Sequence, residues 1–377
     1  MIERIQKNSV VKIMASSEAL LEGDAIMQLD KTASLEGMQI VVGLPDLHPG
    51  KGVPVGAAFL CGDRIYPHIV GNDVGCGIGL WKTTLRSNKN MRDAWAKKLK
   101  GLHLPWDGDL LGWMRDFGVD PSGSNARLGT IGSGNHFAEL QMVEEVRCEE
   151  RFHVLGLDRK ELLLLVHSGS RGIGELLLRQ HTNRLGASPI PEDSDWFLPY
   201  LQSHDFAIEW ARCNRALIAK RFCQQLNADY DAVSDSCHNS IEKIDTAGRT
   251  GWLHRKGAAP ADKGVVVIPG SRGALSYLIE PVGEQQRNLW SLAHGAGRKW
   301  NRKSCRERLK NRFETTSLSQ TEMGSVVICD DKELLFEEAP QAYKNIENII
   351  RAMQREGLIR VIASFRPLIT YKVRSEK

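Results

Sequence analysis

The sequence contains no uncharged apolar run approaching the ~18 residues that a membrane-spanning helix requires. Its first residues include Glu3, Arg4, Lys7 and Lys12 with no apolar segment behind them, so neither a secretory leader nor an anchor is expected. Its eight cysteines form no Cys-x-x-Cys pair and follow no regular spacing. That excludes a disulfide framework and a zinc-finger pattern, and makes a reducing cytoplasm the expected setting. Also missing are the Gly-x-x-x-x-Gly-Lys-Ser/Thr loop and a convincing dinucleotide fingerprint, so any nucleotide must use a different kind of site. There is no internal repeat and no low-complexity linker.

What is present is ordinary globular composition: 377 residues, 42% hydrophobic and 25% charged, enough for a sizeable core. The formal charge of +4 is unevenly spread. Residues 298 to 312 hold eight Lys and Arg against Glu307, a net +7 that leaves −3 for the rest of the chain. Such a concentration beside His294 points to a polyanion, because Lys and Arg drive affinity for phosphate chains. Its plainer reading is a solvated basic helix.

Short β-rich stretches, 38–44, 52–60 and 64–70, are separated by Pro and Gly clusters, and predict a sheet whose turns carry the first motifs. Asn90 is placed to cap a short helix ending at Gly101, and 203–227 has the pattern of a long amphipathic helix. Glu161 to Val166 reads as an apolar strand delivering His167 into a Gly-Ser loop, and Gly264 to Ile268 repeats that design before Pro269. The segment 186–196 reads as an exposed loop. Candidate ligands lie on both sides of it, so one α/β domain spanning 1–377, with central sheets flanked by helices, is expected.

The chemistry concentrates in glycine-rich turns. Gly71-Asn72-Asp73-Val74-Gly75-Cys76-Gly77 sets a carboxylate and a thiol three residues apart in a backbone that can bend tightly. His136, His167, His238 and His294 each follow or precede small or amide residues, whereas His68, His103, His153, His181 and His204 lack a supporting motif and read as structural. Asp73, Cys76, His136, His167 and His238 make a five-ligand set of O, S and N type that could hold two metals with a bridging thiolate, suited to phosphoryl chemistry. Affinity order alone favours zinc over manganese at such a site, and spacing does not choose between them.

Several motifs occur in order: Pro45 to Gly52, Asp73 to Gly77, Gly132-Ser133-Gly134-Asn135-His136-Phe137, His167-Ser168-Gly169-Ser170-Arg171-Gly172, His254 to Ala258, and His294-Gly295-Ala296-Gly297-Arg298. Together they resemble the RtcB family of RNA-splicing ligases across nearly the whole chain. The resemblance implies a compact α/β domain with a deep basic cleft. It implies joining of RNA 3'-phosphate or 2',3'-cyclic phosphate ends to 5'-hydroxyl ends, with GTP and two Mn(2+) ions per chain. Cys76 would bridge the ions, with Asp73 and His136 on one and His167 and His238 on the other. His294 would be the nucleophile that carries GMP.

By the same matching, Asn135, His136, Phe137, Ala138, Glu139, His238, Asn239, Pro269, Gly270, Ser271, Arg272, Ser276, His294, Gly295, Ala296, Gly297 and Lys372 would contact guanylate. Glu139 would read guanine by accepting from its N1 and N2 donors. Arg171, Lys256 and Arg298 would meet RNA phosphate or the triphosphate. Two positions depart from the family pattern: Arg272 stands where Pro-Gly-Ser-Met-Gly has Met, and Ser240 replaces an aromatic after Cys-His-Asn. With a chain shorter than many relatives, these favour RNA repair over splicing. A monomer, with room for an accessory activation factor and no membrane partner, completes the expectation. The alternatives are a two-metal RNA phosphoesterase or nuclease, which needs no covalent nucleotide, and a non-catalytic RNA-binding factor of the translation apparatus.

Overall fold

The unbroken apolar run Leu162 to Val166 sits in the middle of an eight-stranded sheet, as a strand buried on both faces requires. Alternation along Glu161–Ser168 sends Leu162, Leu164 and Val166 into one apolar cluster and Leu163 and Leu165 into another. In the computed structural model, which describes residues 1–14, 21–86, 91–123, 125–246 and 249–374, this sheet runs in the order Tyr230–Cys237, Gly77–Arg86, Glu161–Ser168, Phe137–Val146, Ile359–Val373, Ser276–Pro281, Val266–Ile268. Val326–Cys329 pairs in parallel with Ile359–Val373 off that path. A six-stranded sheet packs Ile2–Gln6, Ser9–Ile13, Met38–His48, Val55–Cys61, Arg249–Lys256 and Asn239–Thr246. The chain passes from one sheet to the other at His238, between Cys237 and Asn239. The result is a mixed α/β domain with helices flanking the sheets.

The 30-residue helix Phe197–Leu226 covers one face of the larger sheet, burying Ile218, Phe222 and Leu226 against it. This helix also buries a charge. Arg215 is fully inaccessible, pairs with Asp235 through two bonds of 2.8 and 2.6 Å, and donates to the carbonyls of Gly75 (2.8 Å) and Ser168 (2.9 Å). It thereby ties the Asp73–Cys76 turn to the end of the strand that carries His167. Gly75, at φ 80°, permits the fit: a Cβ there would come within 2.8 Å of the Ala211 Cβ on the same helix.

Several expected boundaries shift for identifiable reasons. The stretch 64–70 is strand only at Arg64–Ile65, because Pro67 opens a one-turn helix, Pro67–Val70. The segment 186–196 is not wholly a loop: Ile190–Pro191 pairs with Arg64–Ile65 and Ile190 is fully buried. The long helix begins at Phe197 rather than 203, since Pro199 falls in the first turn where its missing N–H costs nothing. Pro54 delays the second strand to Val55, and the first continues past Leu44 to His48. The helix expected to end at Gly101 runs Arg92–Lys98, and its expected cap, Asn90, lies outside the described residues. Among the described residues no helix is long and apolar enough to cross a membrane.

Removing Arg215 would leave Asp235 with only the 4.0 Å approach of Arg212 Nε and take the side-chain donor from two buried carbonyls. Arg215→Ala should therefore lower unfolding free energy by about 3–5 kcal/mol in urea titration; a loss under about 1 kcal/mol would show that the guanidinium does not hold the turn.

Candidate functional site

Antiparallel pairing brings the ends of four strands to one edge of the larger sheet. Cys76 precedes the strand Gly77–Arg86, His136 precedes Phe137–Val146, His167 lies near the end of Glu161–Ser168, and His238 follows Tyr230–Cys237. Register fixes their proximity: Gly77 faces Ser168 and Cys237, and Phe137 faces His167.

Cys76, His136 and His167 converge as a buried cluster able to hold a metal ion. The Cys76 Sγ lies 3.4 Å from His136 Nε2 and 3.2 Å from His167 Nε2. His167 Nδ1 donates to the Asn135 carbonyl at 3.1 Å, which fixes the tautomer and leaves Nε2 free as a ligand. Asp73 adjoins through its Oδ2, 3.3 Å from His136 Nε2, and Gly169 makes room for it, since a Cβ there would meet Asp73 Oδ1 at 2.3 Å. His238 stands at the rim of the cluster, its ring 5.2 Å from His167 and 4.8 Å from His294.

Burial governs the protonation of this cluster. It drives the His167 and His238 imidazoles well below their ordinary range, and the adjacent imidazoles, His136 beside the first and His294 beside the second, act in the same direction. Burial, with the Asp73 carboxylate beside it, pushes the Cys76 thiol well above its ordinary value. Desolvation opposes ionisation of Asp73, but His136 and Lys256 outweigh it and hold the carboxyl below the usual range.

His294 follows the short strand Ser291–Ala293, whose pairing with Ala258–Pro260 places it opposite the cluster. Its Nδ1 lies 2.7 Å from Asp46 Oδ2, and its backbone N–H donates to the same oxygen at 3.1 Å. Asp46 is fully buried, and its own carbonyl accepts from His48 Nδ1 at 2.8 Å. With Nδ1 engaged by the carboxylate, Nε2 is the ring nitrogen that does not meet Asp46. Asp46 belongs to a motif visible in the sequence, but nothing in the sequence paired it with a residue 248 positions away.

The remaining expected residues divide into three groups. Glu139, Ser276, Asn239 and Lys372 are buried. Glu139 accepts from Gln141 Nε2 at 2.6 Å and from Thr370 Oγ1, Gln141 also reaches Ser276 Oγ at 3.1 Å, and Gly270 N donates to that same oxygen at 3.3 Å. Burial raises the Glu139 carboxyl to about 7, against the lowering effect of those two donors. Lys372 braces the His136 loop by donating to the carbonyls of Gly134 (2.8 Å) and His136 (3.1 Å), and Asn239 bridges the Asp73 carbonyl and the Gly257 N–H. The turn Gly295 to Gly297 packs onto Asp46 and the Pro269 loop.

Arg171 and Lys256 flank the cluster. Arg171, at φ 50°, donates from Nε to Thr130 Oγ1 at 3.2 Å, and Lys256 Nζ donates to the Val70 carbonyl. Two residues are placed differently. Ala138 points away into the apolar cluster with Leu140 and Leu164, leaving only its backbone near the site. Arg298 turns inward, bonding Glu338, Tyr343 Oη and the Glu337 carbonyl, whereas Arg302, one turn on, is half exposed and reaches Asn135 Oδ1 at 3.4 Å. Asp46, Gln141, Thr370 and Arg302 are the site residues that sequence reasoning missed.

The raised thiol would give metal binding by this cluster a measurable signature. At pH 7 metal binding should release about one more proton from the wild-type protein than from Cys76→Ala, and affinity should rise with pH as the thiol ionises more easily. Calorimetry in two buffers of different ionisation enthalpy measures that difference; a difference near zero would mean that Cys76 stays a thiol and is no ligand.

Comparison with known proteins agrees with this geometry. A family model described as "tRNA-splicing ligase RtcB" matches residues 28–103 and 121–373, which include Asp46, the metal cluster and His294. A relative from Escherichia coli, "RNA-splicing ligase RtcB2", is 46% identical over 370 residues, 97% of this chain and 96% of its own. Two archaeal relatives named "tRNA-splicing ligase RtcB", from Nanoarchaeum equitans and Thermococcus kodakarensis, are each 28% identical. They align with 97% and 93% of this chain and with 95% and 91% of their own. With most of its length matched and its clustered residues inside the match, this chain belongs to the RtcB family.

Proposed function

We propose that the protein is a GTP- and manganese-dependent RNA ligase. It joins RNA 3'-phosphate or 2',3'-cyclic phosphate ends to 5'-hydroxyl ends and acts in repair of cleaved RNA in the cytoplasm. The observation that carries this reading is the Asp46–His294 pair beside a thiol and imidazole cluster. A hydrolase could use the cluster alone. A histidine held in one tautomer by a buried carboxylate is built for nucleophilic attack.

The donor set fits divalent transition metals, since a thiol and two imidazoles meet at hydrogen-bonding distance and a carboxylate adjoins them. Cys76 would be shared by two ions, with Asp73 and His136 serving one and His167 and His238 the other. When bound, the ions supply positive charge that neutralises phosphate oxygens near the reacting phosphorus.

His294 Nε2 attacks the α-phosphorus of GTP, a P–N bond forms, the P–O bond to pyrophosphate breaks, and pyrophosphate leaves. The proton stays on Nδ1, and the Asp46 carboxylate offsets the positive charge that develops on the ring. A 3'-phosphate oxygen of RNA, freed where the end is cyclic by water adding to phosphorus and breaking the P–O2' bond, then attacks the same phosphorus, breaking P–N and returning His294 to its neutral form. In the last step the 5'-hydroxyl attacks the activated 3'-phosphate and expels GMP, its proton passing to solvent. Glu139 accepts from guanine N1 and N2, while Lys256, Arg171 and the half-exposed Arg302 face RNA phosphates. The exposed cations of the 302–309 helix extend that surface.

His294→Ala should abolish joining of phosphate-ended to 5'-hydroxyl RNA. The same variant, given RNA already carrying a 3'-guanylate, should recover joining, because only the last step remains. Asp46→Asn should slow GTP-dependent joining roughly 10²–10³-fold and be rescued by the same substrate. Gel-based joining assays read both, and failure of rescue in a folded, metal-loaded variant would remove His294 from the nucleophile role. Nucleotide affinity should weaken as pH falls below about 7, where Glu139 gains its proton, and Glu139→Gln should flatten that dependence.

A further inference from the structure

The loop Pro269–Ser276 connects the two ends of the proposed nucleotide site. At one end, the Pro269 carbonyl lies 3.4 Å from where a Cβ on Gly295 would stand, next to His294. At the other, Ser276 Oγ joins the Gln141–Glu139 hydrogen-bond chain. Between them sits Arg272, only 5% exposed. Its Nη2 donates to the Leu335 carbonyl at 2.9 Å, but Nε and Nη1 are buried without an acceptor among the described residues.

A buried guanidinium with unused donors is costly unless something else supplies acceptors. The nearby carboxylates do not. Glu338 is already engaged by Arg298 and Tyr343, and Glu139 by Gln141 and Thr370. The charged and polar groups acting on Arg272 are Cys329, Glu338, Tyr343 and Glu139, with Lys372 also near. The bond to Leu335 and these neighbours set the guanidinium between the 329–343 segment and Glu139, away from the metal cluster and the Asp46–His294 pair. Guanine presents two acceptors, O6 and N7, adjacent to the N1 and N2 donors that Glu139 would take.

We propose that Arg272 is a second guanine-specificity residue, donating to O6 or N7 of the base while Glu139 accepts from N1 and N2. This rests on the GTP-dependent reading given above. It would give this chain a base contact that a methionine at the same position could not make.

The test uses full-length protein carrying His294→Ala, so that binding is not followed by transfer, with Mn(2+) present. Dissociation constants are measured for GTP, 7-deaza-GTP, which lacks N7, and 6-thio-GTP, whose sulfur is a weak acceptor. With Arg272 intact, at least one analogue should bind roughly tenfold more weakly than GTP, as expected when a buried charged donor loses its acceptor. Arg272→Met should bring that ratio close to one, while the unliganded variant melts no lower than its parent because an unsatisfied charge is gone. Should the methionine variant fail to fold, Arg272→Lys must still reduce the ratio, since it lacks Nε and the planar fork. An unchanged ratio, or equal weakening of all three nucleotides as a phosphate contact would give, overturns the inference. Absence of GTP binding to the parent overturns the nucleotide reading itself, and this inference with it.

Discussion

The site depends on one buried guanidinium. Arg215 has no solvent access, and its donors are spent on Asp235 and on the carbonyls of Gly75 and Ser168. Those carbonyls belong to the turn that presents Asp73 and Cys76 and to the strand end that presents His167. A backbone turn rich in glycine has little conformational preference of its own. The helix Phe197–Leu226 supplies rigidity through this side chain, and the sheet register supplies the rest. Without the clamp, only the strand register would hold the thiol and the imidazole 3.2 Å apart.

Around that clamp the chain gathers groups whose ordinary protonation burial would disturb. Burial disfavours protonation of His167 and His238 and ionisation of Cys76, so binding a metal here would need imidazoles already neutral and a thiol that gives up its proton. His294 is treated differently. It touches His238 by ring contact but is anchored by Asp46 from the other sheet, so it is oriented independently of the cluster. In the proposed reaction, the cluster at the end of one sheet and His294, anchored by Asp46 of the other, would close on a phosphorus from two sides. The seam between sheets, crossed by the chain at His238, is what makes that arrangement available.

Much of this was legible in the sequence because the chemistry sits in short, unusual turns. The Asp73–Cys76 turn, the Gly-Ser loop after His167 and the Gly-Ala-Gly after His294 could be recognised locally. The apolar run before His167 correctly foretold a buried strand. What could not be read were the pairings over long separations. Asp46 and His294 meet only because the six-stranded sheet and the Ala258–Pro260 ladder bring them together, and Arg215 looks in sequence like any surface cation of a helix. Arg298 shows the same limit: a basic run does not reveal which guanidinium turns inward to Glu338 and which, like Arg302, reaches Asn135.

The central claim is that His294, with its proton held on Nδ1 by Asp46, carries guanylate through Nε2. Intact-mass analysis of the protein after incubation with GTP and Mn(2+), followed by peptide mapping, tests it directly. The account predicts a mass increase of one GMP per chain, located on His294, stable in base and lost in mild acid as a phosphoramidate is. An unchanged mass in protein shown to have bound both metal and GTP, or an adduct on any other residue, would contradict it.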